Sequence, residues 1–152
     1  QLMIEDIEAD DVIAYICQMN SLAEDVKIIV SMDKDFYQLC DDKTMIYSPV
    51  KNEFLNKKRI LEQFSIHPNN FAIARAIDGD KSDNLEGIKG AGLKTISKRF
   101  SFLSEEKSYT LDDLFRHCRR SDSAQKLFKN ILSEKKKVEL NYKLMQLYSP
   151  HI

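Results

Sequence analysis

The residues best equipped for chemistry lie in one stretch, Asp78-Gly79-Asp80-Lys81-Ser82-Asp83-Asn84-Leu85-Glu86-Gly87-Ile88-Lys89-Gly90-Ala91-Gly92-Leu93-Lys94-Thr95. All four glycines of the chain fall inside it, which concentrates in one loop the backbone conformations that other residues avoid. Its first half supplies carboxylates, the oxygen donors that suit a hard divalent cation. Its second half is rich in glycine, ends in Lys94-Thr95 and runs into a basic helical pattern, a combination that suits phosphate groups. Two further acidic clusters, Glu8-Ala9-Asp10-Asp11 and Asp33-Lys34-Asp35, lie upstream.

Three simpler explanations of the loop can be weighed. An EF-hand counted from Asp78 needs glycine at its sixth position and glutamate at its twelfth, and those places hold Asp83 and Lys89. A P-loop comes nearer, because Gly87 and Gly92 have the required spacing, but Leu93 intervenes before Lys94-Thr95 and no apolar strand leads in. An ordinary surface turn accounts for the glycines. It leaves the upstream acids unexplained.

The acids need elements to position them. From Glu8 onward, Val12, Ile13, Ile16 and Met19 form one apolar stripe, which predicts a core-facing helix whose first-turn acids also agree with the helix macrodipole. Lys27–Ser31 is an apolar run too short for a helix and is expected to be a strand buried on both faces of a parallel sheet. Ligands of open α/β sheets sit beyond the carboxyl ends of strands, where Asp33 and Asp35, two apart in extended chain, would point the same way. A short helix over Asp35–Cys40 and a second strand over Thr44–Ser48, ended by Pro49, continue a βαβ rhythm. Helices are expected over Asn56–Phe64, from Pro68 through Ile77, and over Leu93–Phe100, with Lys94 and Lys98 one turn apart. The remainder, Leu111–Cys118 and Asp122–Leu147, is helical in pattern.

Composition sets the frame. The chain has 152 residues, 43% hydrophobic and 31% charged, which suits about one globular domain with a real core. No apolar run approaches the ~20 residues of a membrane span, and the amino end lacks a basic region followed by an apolar one. Cys17, Cys40 and Cys118 are odd in number and lack metal-ligand spacing, which fits free thiols in a reducing cytoplasm. The net charge of −1 hides an asymmetry: residues 1–42 hold 11 acids against two bases, and residues 43–152 hold 13 acids against 21 bases. Such a division suggests an acidic site beside a body that faces a polyanion.

Glu8-Ala9-Asp10-Asp11, then Ser31-Met32-Asp33-Lys34-Asp35-Phe36-Tyr37-Gln38-Leu39, then Gly79 through Thr95 resemble, in order and spacing, the successive blocks of the 5′-nuclease family. That family takes in the phage 5′→3′ exonucleases of the phage RNase H type, the polymerase I 5′-nuclease domains and the flap endonucleases. The resemblance implies an α/β fold: a partial PIN-like parallel sheet with helices, then a helix-three-turn-helix DNA-binding subdomain of helix-hairpin-helix type and a helical tail. Residues 1–66 would be the carboxyl part of the nuclease core, and residues 67–152 the DNA-binding region and tail.

The same resemblance implies two Mg²⁺ ions, with Mn²⁺ as a substitute, held by Glu8, Asp10, Asp11, Asp33, Asp35, Asp80 and Asp83. Glu8 and Asp10 would serve the first ion, and Asp33, Asp35, Asp80 and Asp83 mainly the second, with Asp11 lining the site. So many like charges in one cleft would themselves call for cations. The implied activity is hydrolysis of phosphodiesters at 5′ flaps or RNA primers in DNA replication or repair, in the cytoplasm of a bacterium or a phage-infected host. Gly87, Lys89, Gly90, Gly92, Lys94, Thr95 and Lys98 would grip duplex DNA, and backbone carbonyls near Ser82, Leu85 and Ile88 would take a K⁺ ion. Most family members near polymerase I have proline where this chain has Glu86.

One departure stands out. Family members begin with a strand carrying a metal-binding aspartate, a second aspartate and a basic helical arch ahead of the first acidic block, where this chain has seven residues. Two expectations stay open: a fragment or split product whose amino-terminal segment comes from another polypeptide, or a non-catalytic duplex-binding module. In the first case the chain alone should expose an apolar sheet edge and associate.

Overall fold

The computed structural model describes residues 1–121 and 125–147. Helix α1 (Ala9–Gln18) starts after Glu8, which stands in extended conformation at its amino end, and it buries Ala14. Ile13 and Cys17 pack beside the core from the same helix. Strand β1 (Lys27–Val30) runs parallel to β2 (Thr44–Ser48), with Ile29 opposite Ile46. Between them the chain forms a 3₁₀ helix, Lys34–Leu39, which buries Asp35, Phe36 and Tyr37.

A third strand that the sequence pattern does not predict, β3 (Glu53–Leu55), pairs antiparallel with β2. Its reversal includes Asn52 at φ 50, a left-handed conformation that asparagine tolerates better than most residues. The sheet order is β1-β2-β3, so β1 is an edge strand among the described residues. Burial of Lys27–Ser31 on both faces is not what the structure gives. Ile29 is 7% exposed, but Ile28 is 50% and Val30 65% exposed, because alternate residues of a strand face opposite ways and only one face of β1 meets the core.

Helix α2 (Lys57–Phe64) is capped by Asn56, whose Oδ1 accepts from the Arg59 amide at 2.8 Å. Pro68 opens a 3₁₀ turn, and helix α3 (Phe71–Asp78) follows with every residue from Phe71 to Ile77 buried. It is the axis of the molecule, packed against α4 (Leu93–Arg99) and α7 (Lys135–Met145). Its carboxyl end feeds a hairpin of two short strands, β4 (Gly79–Asp80) and β5 (Leu85–Glu86).

The expected helix over Asp122–Leu147 is two helices, α6 (Lys126–Ser133) and α7, parted at Glu134, and Asp122 itself lies outside the described residues. Helix α5 (Leu111–Arg120) precedes them, with a capping box between Thr110 and Asp113. Asn141 fastens α7 to the axis: its Nδ2 donates to the Ala76 carbonyl at 3.1 Å and to the Glu86 carbonyl at 2.9 Å. Among the described residues, no helix is long and apolar enough to cross a membrane.

Candidate metal and nucleic-acid site

Three acids from two separate parts of the chain meet where α3 ends. Oxygens of Asp35, Asp80 and Asp83 lie within 4.8 Å of one another. Asp35 comes from the 3₁₀ helix, Asp80 from β4, and Asp83 from the turn that follows. The pair Asp33 and Asp35 does not project from an extended strand as expected. Asp33 instead caps the 3₁₀ helix, its Oδ1 accepting from the Asp35 amide at 2.9 Å.

A cavity of about 360 Å³ opens beside these acids, lined by Glu8, Asp10, Asp11, Asp35, Asp83 and Lys143 among others. The first acidic cluster therefore faces the later ones. Asp10 is pushed above the usual carboxylate range, first by burial and then by the charges of Asp33, Glu8, Asp11 and Asp83. Asp35, 8% exposed, is pushed up to about 6 by burial and by Asp33, against the lowering influence of Arg75. All seven sequence-assigned acids thus share one electrostatic neighbourhood, Asp33 and Asp80 through their contacts with Asp35 and Arg75 rather than as walls of the cavity.

Arg75 was not among the residues singled out from the sequence. It is 6% exposed, and its Nη2 reaches Asp80 at 2.8 Å and Asp35 at 3.3 Å while its Nη1 reaches Asp78 at 3.4 Å and the Gly79 carbonyl at 3.2 Å. The guanidinium is the internal counter-ion of the cluster. Asp80 and Asp35 share it yet move in opposite directions. Burial would raise Asp80 too, but hydrogen bonds from the Ser82 hydroxyl and amide to its Oδ1, at 2.6 and 2.9 Å, combine with Arg75 to hold it below the ordinary value. Asp78 is raised by burial despite Arg75.

The glycine loop is built for close approach more than for unusual dihedrals. Only Gly79 and Gly90 have positive φ, at 79° and 78°, and the non-glycine Asn84 shares that region at 57°. A Cβ on Gly87 would stand 2.0 Å from the Asp78 carbonyl oxygen, and one on Gly79 would stand 2.4 Å from the Gly87 nitrogen. Those two glycines let the hairpin close on the end of α3. Gly90 and Gly92 face open space instead.

Around them Lys89, Lys94 and Lys98 are exposed and Thr95 is half-buried. A shallow cavity of about 500 Å³ beside the loop is lined by Asp78, Lys81, Gly87, Lys89, Gly90 and Gly92 among others. Of the positions assigned to a K⁺ ion, Ser82 turns its hydroxyl to Asp80, Leu85 pairs with Asp80 across the hairpin, and the Ile88 carbonyl accepts from the Ala91 amide at 3.1 Å. Glu86 is partnered by Lys137 of α7 at 3.6 Å.

Comparison with known proteins adds an independent line. Residues 1–65 match the family described as 5′-3′ exonuclease, N-terminal resolvase-like domain. The chain is 32% identical over 145 residues to a 5′-3′ exonuclease of Aquifex aeolicus, covering 93% of this chain and 46% of that protein. It is 30% identical over 146 residues to the flap endonuclease Xni of Psychromonas ingrahamii, covering 96% of this chain and 53% of that protein. The chain therefore spans about half the length of these relatives. Its fold matches that of the bacteriophage T5 D15 flap endonuclease, solved as a pseudo-enzyme–product complex with DNA and metal ions, at a TM-score of 0.80 and 23% identity over 96% of this chain and 52% of that one.

Proposed function

The chain belongs to the 5′-nuclease family, and from that premise we propose that it serves Mg²⁺-dependent 5′→3′ exonuclease or flap-endonuclease cleavage of phosphodiesters in 5′ flaps or RNA primers. The observation that carries this reading is the meeting of Asp35, Asp80 and Asp83 beside a cavity that Asp35 and Asp83 line together with Glu8, Asp10 and Asp11. The donor set fits hard divalent cations: it is all carboxylate, with oxygens from three side chains close enough to share one ion. Asp35, Asp80 and Asp83, with Asp33 beside them, would hold one ion, and Glu8 and Asp10 a second, with Asp11 on the cavity wall. Such ions supply a hydroxide nucleophile near neutral pH and stabilise the leaving oxygen.

The protein's own groups do the rest. Arg75 offsets part of the repulsion among Asp35, Asp78 and Asp80, and Ser82 fixes the Asp80 carboxylate through its hydroxyl and amide. Lys89, Lys94 and Lys98, with the open backbone at Gly90 and Gly92, offer a sequence-independent hold on duplex phosphates, in which Gly87 and Thr95 take part. Residues 1–66 would then carry most of the acids, and residues 67–152 the duplex grip. A duplex binder without catalysis gains nothing from carboxylates that repel a polyanion, so the convergence argues for the enzyme.

The test is Asp80→Asn in the full chain. Flap cleavage with Mg²⁺ should fall by at least about 100-fold, as expected for removal of a principal electrostatic contributor, while duplex affinity in Ca²⁺ persists. Undiminished cleavage by this variant would remove the assigned metal site.

A further inference from the structure

Among the described residues, the cavity beside the acids has one basic wall, Lys143 in the last turn of α7. The geometry points to Lys143 as a phosphate-contacting residue of the cleft, which receives a phosphate of the nucleic-acid strand as it enters beside the acids. The inference rests on the nuclease reading above. It concerns a residue far outside every acidic block, on a helical tail to which the sequence assigns no role.

A lysine near the carboxyl end of a helix is commonly no more than a solvated partner of the macrodipole. Two features set Lys143 apart. First, the segment around it is held in place. Two residues earlier Asn141 is tied to the axis helix and to β5. Two residues later the Met145 carbonyl accepts from Gln38 Nε2 at 2.9 Å, and the Leu147 amide donates to Gln38 Oε1 at 2.9 Å. Gln18 Nε2 adds a 3.3 Å bond to the Leu147 carbonyl. Gln18 lies on the helix that carries Asp10 and Asp11, and Gln38 on the 3₁₀ helix that carries Asp35. The end of α7 is thus fixed to both acid-bearing elements.

Second, among the described residues Lys143 is the single basic one lining a cavity with five carboxylates, and it forms no ion pair within 4.0 Å with any of them. A mobile ammonium in such a field would be expected to pair if its tether allowed. Without a carboxylate of the described residues within 4.0 Å, the exposed ammonium is available as a donor. Once cations neutralise the acids, a phosphate oxygen is the natural acceptor for it, in a charge-assisted hydrogen bond.

Lys143→Met and Lys143→Arg in the full chain, beside Asp80→Asn, provide the test. With Ca²⁺ present, Lys143→Met should make the salt dependence of flap-DNA affinity shallower by about one phosphate contact. With Mg²⁺ and saturating DNA, its single-turnover cleavage should fall about tenfold or more. Lys143→Arg should restore both to within about threefold, and the melting temperature of all Lys143 variants should match the parent. An unchanged salt slope, or a loss that arginine does not recover, would overturn the inference while leaving the nuclease reading intact if Asp80→Asn is inactive. A parent chain that shows neither Mg²⁺-dependent cleavage nor salt-dependent flap-DNA binding would overturn both.

Discussion

Arg75 lies at the point where burial and charge collide. Its guanidinium contacts three carboxylates while almost wholly removed from water, and breaking a buried pair of this kind leaves charges uncompensated at a cost of about 3 kcal/mol or more. Arg75→Gln should therefore lower the stability of the metal-free protein by about that amount, and Mg²⁺ should raise the melting temperature of the variant by more than it raises the parent's. Equal increments in thermal melts of the two would contradict the counter-ion role. Asp35 gives a pH signature. Burial holds its folded value at about 6, above the ordinary carboxylate range, so the folded state keeps a proton that the unfolded chain has lost and stability declines as pH rises through about 6. The stability advantage of metal-free Asp35→Asn over its parent should thus grow between pH 5 and 7 in urea titrations, and a constant difference would refute the shift. The seven acids could be found from the sequence because their blocks recur in a family. Arg75 had one local signal, a lone charge inside the apolar run Phe71-Ala72-Ile73-Ala74-Arg75-Ala76-Ile77. Lys143 had none, since its proximity to the acids arises only from the packing of α7.

The elements divide along similar lines. Helices with clear periodicity, such as α1, α2 and α5, lie within a few residues of their expected spans, because a continuous apolar stripe is a local property of the sequence. Strand β3 escaped because three residues carry too little alternation to register, and its place is set by pairing with β2. The acidic end of β1 was misjudged in conformation because the cap formed by Asp33 competes with an extended chain and wins through its bond to the Asp35 amide. Within α4, Lys94 and Lys98 stand one turn apart and exposed. If this helix bears on the duplex, Lys94→Ala with Lys98→Ala should reduce the salt slope of DNA binding by about two phosphate contacts without changing sequence preference. A slope indifferent to both substitutions would place the duplex elsewhere.

At the scale of the whole molecule, the apolar surface of the sheet is the conspicuous exposure. Ile28 and Val30 of the edge strand, and Val26 and Met32 that flank it, are each at least half exposed, and such edges pair readily with other chains. Residues 1–152 alone should therefore self-associate as concentration rises, and Ile28→Thr with Val30→Lys should shift light scattering towards the monomer; scattering unaltered by the pair would locate association on another face. The bonds from Gln18 and Gln38 to residues 145 and 147 carry a different consequence. Each acid that lines the cavity is translated before α7, and the wall bearing Lys143 is laid down after them and locked to those earlier elements by the glutamines. During synthesis, a nascent chain that already displays these carboxylates still lacks that side of the cleft. Completion of that wall is thereby coupled to the reading of the message through the codon for residue 147.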